Sequence, residues 1–257
     1  MRNYKLFLGI SFLVLSATVF GIGIFLRNEG LKNSSWTSKD AEMVTETVDI
    51  ENVERLIAQG TMDIEIIPSD SNLMEVIYNK TNSENKSRID GNRLRIVFDS
   101  EESFHFFSSN NTSTSDIDIK IYSNKIWNIE KEGTGRIFCK DTLYLDSFRL
   151  RNSGLGIMSW VLKTKKLEIF NDGVGEVKVE GFTDNISISN RGIGKIHAKK
   201  LKARIADVSN SGVGWVSVYA VDSIRISNNG IGSVNYSGDA AWHHLSIKGI
   251  GSINKVK

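Results

Sequence analysis

From about residue 46 onward, apolar and polar side chains alternate with a period of two. Val48 and Ile50 open the pattern, and Met62, Ile64 and Ile66 carry it to Pro68-Ser69-Asp70. The run MEVIYNK follows, then Leu94, Ile96 and Phe98 after the turn pair Asp90-Gly91, then Ile117, Ile119 and Ile121. Such alternation predicts short strands with one buried face, bounded by turn residues. No segment between residues 46 and 122 carries a helical period. Two polar stretches, residues 79–92 and 108–116, interrupt the strands and are expected as solvated loops.

From residue 123 to the C-terminus the alternation becomes repetitive. The phrase Asn-x-Gly-apolar-Gly occurs five times. Its fixed residues are Asn152, Gly154 and Gly156, then Asn171, Gly173 and Gly175, then Asn190, Gly192 and Gly194. Asn210, Gly212 and Gly214 make the fourth, and Asn228, Gly230 and Gly232 the fifth. Weaker copies flank these, with Lys131 before Gly133 and Gly135, and Ile247 before Gly249 and Gly251. Successive first glycines lie 21, 19, 19, 20, 18 and 19 residues apart. A sustained period of this length marks a solenoid.

Each repeat reads as strand, tight turn, strand and looser corner. Leu167 and Ile169 precede Asn171, for example, and Val177 and Val179 follow Gly175. Strands this short cannot bury an apolar face alone, so successive coils must stack. The predicted fold is all-β, a parallel β-helix-like solenoid with an N-terminal strand region. Seven coils at a ladder spacing of about 4.8 Å would rise about 34 Å. Glycine suits the turns because it accepts positive φ and close backbone approach. The residue between the glycines (Leu155, Val174, Ile193, Val213, Ile231 and Ile250, with Thr134 in the first copy) is expected to point into the core. The five asparagines are expected to stack, their amides satisfying one another and the turn backbone.

The N-terminus carries a different signal. Residues 6–26, LFLGISFLVLSATVFGIGIFL, are uncharged, and as a helix they are long enough to span a bilayer core of roughly 30 Å. Arg2 and Lys5 precede them, which places residues 1–5 in the cytoplasm and the rest of the chain outside. An uncleaved transmembrane signal anchor is expected. A cleaved signal peptide is the rival, although the run is long for one and no small-x-small site ends it. Either way residues 46–257 are exported, with the polar residues 27–45 as linker.

The segment VERLIAQGTMDIEIIPSDSNLMEVIY, then GNRLRIVF, then the Gly-x-Gly repeats resemble the head GIN domain family of auto-transporter adhesins. The resemblance covers roughly residues 46–257. It implies an exported right-handed β-helix-like solenoid and a role in adhesion.

Composition narrows the chemistry further. The chain has 32 basic and 30 acidic residues, a balance that removes the electrostatic case for nucleic acid. Cys139 is the only cysteine, so no intrachain disulfide or multi-cysteine metal site exists. It falls at an inward position and is expected to be a buried, inert thiol. His243 and His244 are adjacent on a strand and face opposite ways, which argues against a shared metal. Calcium-binding solenoid turns need a recurring aspartate, and Asp172 stands alone. Gly-x-Gly without a third glycine opening a helix gives no dinucleotide site. No cofactor is expected.

Two outward columns were candidates for catalysis or binding. The residues preceding the asparagine place are Glu130, Arg151, Phe170, Ser189, Ser209, Ser227 and Ser246. Those after the second glycine are Arg136, Ile157, Glu176, Lys195, Trp215, Ser233 and Ser252. Neither column gathers the paired carboxylates that glycoside cleavage needs. Trp215 and the stripe Ser189, Ser209, Ser227 and Ser246 are instead the candidate binding surface; Trp215 packed over a neighbouring coil is the alternative. The expected function is a membrane-anchored, extracytoplasmic, non-catalytic binding module for a cell-surface protein or glycan. Two rivals stand beside it: an envelope component contacting envelope polymers or membrane proteins, and a carbohydrate-active β-helix enzyme.

Overall fold

The computed structural model describes residues 43–80, 83–100 and 117–256. The expected anchor at 6–26, most of the linker 27–45 and the polar stretch 108–116 lie outside the described residues. No helix among the described residues is long and apolar enough to cross a membrane.

The described residues form strands and turns only. An entry region holds β1 (Met43–Asp49), β2 (Arg55–Gln59), β3 (Asp63–Ile67), β4 (Leu73–Asn79), β5 (Ser83–Asn85), β6 (Arg88–Asp90), β7 (Arg93–Ser100), β8 (Ile117–Tyr122) and β9 (Asn128–Lys131). The repeats follow as β10 (Thr134–Asn152), β11 (Leu155–Asn171), β12 (Val174–Asn190), β13 (Ile193–Asn210) and β14 (Val213–Asn228). β15 (Ile231–Ser237), β16 (Trp242–Ile247) and β17 (Ile250–Lys255) complete the chain. Residues 79–92, read as a loop, contain β5 and β6, which pair antiparallel with β7. Their side chains are too polar to show a buried face in sequence, and the hydrogen bonds to β7 supply what alternation does not.

β10 to β14 pair in parallel, each in register with the next at the asparagine: Asn152 with Asn171, Asn171 with Asn190, Asn190 with Asn210, Asn210 with Asn228. These strands are 16 to 19 residues long because each runs from one glycine turn to the next. The looser corner therefore bends the strand without ending it. Register shifts at that corner, between Cys139 and Thr142 and between Lys178 and Gly181, absorb the varying repeat length. Two arms of each coil thus face one another across a shared core. Phe148 on one arm meets Trp160 on the other edge-to-face, with ring centroids 4.9 Å apart.

The entry strands extend both arms. On one, β10 continues through β3 and β8 to β4 and β1; on the other, through β9 and β2 to β7. Val44 and Val48 of β1 pack on the core, and Ile50 and Val53 are buried beside it. The C-terminal coil differs. β16 pairs with β14 and β17 with β15, and no described strand covers their far edges. Leu245 and Ile247 are therefore exposed at columns that earlier coils bury.

One expectation is overturned. The apolar residue between the glycines faces outward: Ile193 is 54 % and Ile250 77 % exposed, and Val174, Val213 and Ile231 are exposed as well. Period-two alternation runs unbroken through the turn. Counting from the inward asparagine, the residues six and eight places on are buried (Val177 and Val179 after Asn171), and the third place falls on the outer side. These residues stack in register as an external aliphatic ridge from Leu155 to Ile250.

Candidate functional site

The recurring turn is a structural post. Asn152 Nδ2 donates to Asn171 Oδ1 (2.8 Å), Asn171 to Asn190 (2.8 Å), Asn190 to Asn210 (2.7 Å) and Asn210 to Asn228 (2.8 Å). All five side chains are buried. Asn228 Nδ2 ends the ladder on the carbonyls of Gly232 and Ser252. At the other end the buried Lys131 donates from Nζ to Gly133 O (2.8 Å) and Leu155 O (2.5 Å). Burial pushes its pKa down to about 8. Asn152 Oδ1, the first acceptor of the ladder, has no hydrogen-bond partner. The glycines have two separate reasons. A Cβ on Gly173 would overlap the Gly154 carbonyl of the preceding coil, and Gly175 adds a φ of 141° to the same clash with Gly156. The columns through Gly154, Gly192, Gly212, Gly230 and Gly249, and through Gly194, Gly214, Gly232 and Gly251, repeat these contacts. Asp172 is held by arginines: Arg151 Nη1 lies 2.6 Å and Arg191 Nε 2.7 Å from its carboxylate. Hydrogen bonding from Arg191 leads in drawing its pKa down.

Trp215 is half-buried in the column Lys195–Trp215–Ser233. Its ring meets His197 edge-to-face at 4.8 Å. His197 Nε2 in turn lies 2.7 Å from Glu176 Oε1, off the line of a good hydrogen bond. Trp215 is thus packed on a neighbouring coil's side chain. Ser189, Ser209, Ser227 and Ser246 do stack in register as a partly exposed stripe. They lie on the strand before the glycine turn and Trp215 on the strand after it, so the turn separates the two halves of the expected surface.

The remaining candidates fall apart chemically. Cys139 is buried, its Sγ donates to Asp141 O (3.1 Å), and burial pushes its pKa up to about 12, far from a reactive thiolate. His243 stands in register with the core residue Ile224, yet both it and His244 are exposed, with no described strand paired to the far edge of β16. Facing opposite ways along the strand therefore buries neither of them. His244 stacks on Trp242 at 6.1 Å. Among the described residues no three His, Cys, Asp or Glu side chains converge as a metal site.

The looser corner carries a surface that the glycine count missed. Tyr144 is in register with Lys163, Lys163 with Phe182, and Phe182 with Lys202. The pairing of Ala203 with Ala220 brings Tyr219 next in line. Tyr144 is 66 % and Phe182 39 % exposed, and both lysines are exposed. Two concavities lie along the column: one of about 540 Å³ lined by Tyr144, Lys163, Lys165, Phe182, Asp146 and Asp184, the other of about 740 Å³ with Lys199, Lys200, Lys202, Tyr219 and Lys255 on its wall. The signal was present: Tyr144, Lys163 and Phe182 are each 19 residues apart. Register shifts at this corner hide the column from a count anchored on glycine.

Residues 52–240 match the family described as "Putative auto-transporter adhesin, head GIN domain". No curated protein matches the chain. Among solved structures, a "putative adhesin" from Bacteroides fragilis NCTC 9343 superposes with a TM-score of 0.75 at 23% identity, covering 84% of this chain and 98% of that one. A "putative adhesin" from Parabacteroides distasonis ATCC 8503 gives 0.62 at 19% identity, over 84% and 98%. A "Putative lipid binding protein" of the same strain gives 0.58 at 22% identity, over 84% and 97%. At these identities the likeness is one of fold. The family match spans well over half of the chain, which therefore belongs to the head GIN domain family.

Proposed function

We propose that this head GIN domain is held outside the cytoplasm by the apolar segment 6–26 and acts there as a non-catalytic binding module. The coil hand is taken as right, the sense that parallel crossover connections adopt. One observation carries the reading: a frame of repeated inward residues presents outward columns whose chemistry changes from coil to coil. The frame uses asparagine, glycine and aliphatic side chains for stacking, and leaves variation to the columns of Trp215, the serines and the looser corner. Glu176, the outward carboxylate considered for catalysis, is engaged by Lys178 (3.0 Å) and His197.

Protease added to intact cells should remove the chain beyond residue 46 while leaving cytoplasmic proteins whole. Full protection would overturn the topology. Crosslinking on the same cells tests the role. Capture of neighbour-cell or host ligands supports adhesion, whereas capture of the same cell's envelope proteins alone supports an envelope component.

A further inference from the structure

We propose that the column Tyr144–Lys163–Phe182–Lys202–Tyr219 is a binding strip for a linear acidic polysaccharide in which neutral and negatively charged sugar rings alternate. The inference rests on the binding-module reading and gives that module a site and a ligand class. Four side chains in register on successive coils alternate aromatic and cationic along one edge of the solenoid, and Tyr219 shares a concavity with the last, Lys202. Neighbours are one ladder step apart, and like residues are two steps apart, about 10 Å. An extended pyranose chain advances by a similar step per ring, so an alternating disaccharide repeats with the period of the column.

The chemistry of each place fits. The apolar face of a sugar ring stacks on an exposed aromatic, whose area is presented with little conformational entropy to lose. Lys163 and Lys202 have no carboxylate within 4 Å among the described residues, so their charge is available to a ligand anion. Two flanking lysines are paired: Lys165 with Asp146 at 2.8 Å and Lys200 with Glu180 at 2.9 Å. Asp184, on the rim beside Phe182, can accept hydrogen bonds from sugar hydroxyls. The concavities along the strip, one at Tyr144, Lys163 and Phe182 and one at Lys202 and Tyr219, give the chain depth to lie in. Single-stranded nucleic acid also stacks on aromatics, but it needs a basic groove tracking every phosphate. Here cations occupy alternate steps, and the net charge of the chain is only +2.

The test titrates the full chain in detergent micelles with a hyaluronan octasaccharide, neutral chitooctaose and an eight-nucleotide oligothymidine. Hyaluronan should bind saturably and weaken as salt rises. Y144A and F182A should each weaken it about fivefold or more with unchanged salt dependence. K163Q and K202Q should weaken it and flatten the salt dependence, while F182Y and K163R retain binding. All the strip side chains altered are exposed, so unfolding midpoints close to the parent's verify the frame. Absent hyaluronan binding, equal binding of either comparator, or parent-like affinity in F182A or K163Q overturns the strip. Continued ligand capture on intact cells in that case would leave the binding module standing and remove only this site.

Discussion

Lys131 occupies in the first coil the place that asparagine holds in the next five. An amide there could donate to Asn152 Oδ1, which is left without a partner. The ammonium spends donors on the Gly133 and Leu155 carbonyls and loses its hydration. Its pKa is about 8 in the fold against an ordinary value near 10.5. The folded state thus binds fewer protons than the unfolded one between those values, and stability rises with pH across that window. The cost is complete below about pH 8 and gone above about 10.5, and amounts to roughly 2–3 kcal/mol. Lys131→Asn should raise stability at pH 7 by about 1–3 kcal/mol by removing this cost and extending the ladder. Urea unfolding at pH 7, 9 and 10 should show the gap between variant and parent closing as pH rises. Cys139 titrates alike in both proteins, so the difference isolates Lys131. A variant less stable than the parent at pH 7 would count against this account of the column.

Within each repeat, side-chain direction is set by parity. Asparagine faces inward, and the aliphatic residue three places on faces outward although two glycines bracket it. Ile193 and Ile196 are three residues apart and on opposite sides, one 54 % exposed and the other 1 %. Ile196→Thr should cost about 2–4 kcal/mol, since it removes buried apolar area and buries a hydroxyl. Ile193→Thr should cost less than about 1 kcal/mol, because threonine keeps the β-branch on an open surface. Denaturant midpoints of the two variants check this directly; equal losses would restore the inward reading. The ridge is continuous from Leu155 to Ile250, and the glycine columns beside it stay bare because neighbouring coils approach too closely for a Cβ.

At the scale of the molecule, the entry strands extend the solenoid at one end, and at the other no described strand covers β16 and β17. Stability in a stacked array is a sum over coils and their nearest-neighbour contacts, so coils can be removed from an end. Truncation after Asp239 removes β16 and β17, whose apolar side chains Trp242, Leu245, Ile247 and Ile250 are already exposed. The core loses the buried Ala240 and the partly buried Ile253. The truncated protein should keep its β-rich circular dichroism and unfold about 4–8 °C lower, corresponding to about 2 kcal/mol. Collapse of the fold on truncation would show that the last coil acts as a cap. Lys248 and Lys255 on that coil oppose edge-to-edge addition of further chains.

Much of this architecture could be read from residues alone. Period-two alternation required strands, a 19-residue return required stacked coils, and one asparagine per return required an amide ladder, because each is a local rule repeated in register. The buried thiol of Cys139 followed from the same parity. Tertiary structure decided what local rules leave free. Whether the alternation resets at a glycine turn depends on the bend of the backbone against the coil beneath, and it does not reset, which sends Val174, Ile193, Val213 and Ile231 outward. Trp215 found His197 across a ladder step, a contact made by pairing and not by spacing along one strand. His243 is exposed because no described strand covers the far edge of β16. Tyr144, Lys163, Phe182, Lys202 and Tyr219 came into line only after register shifts at the looser corner absorbed repeats of unequal length. Sequence determined the frame because the frame is periodic; the surface is where the period slips, and there only the packed coils fix which side chains stand together.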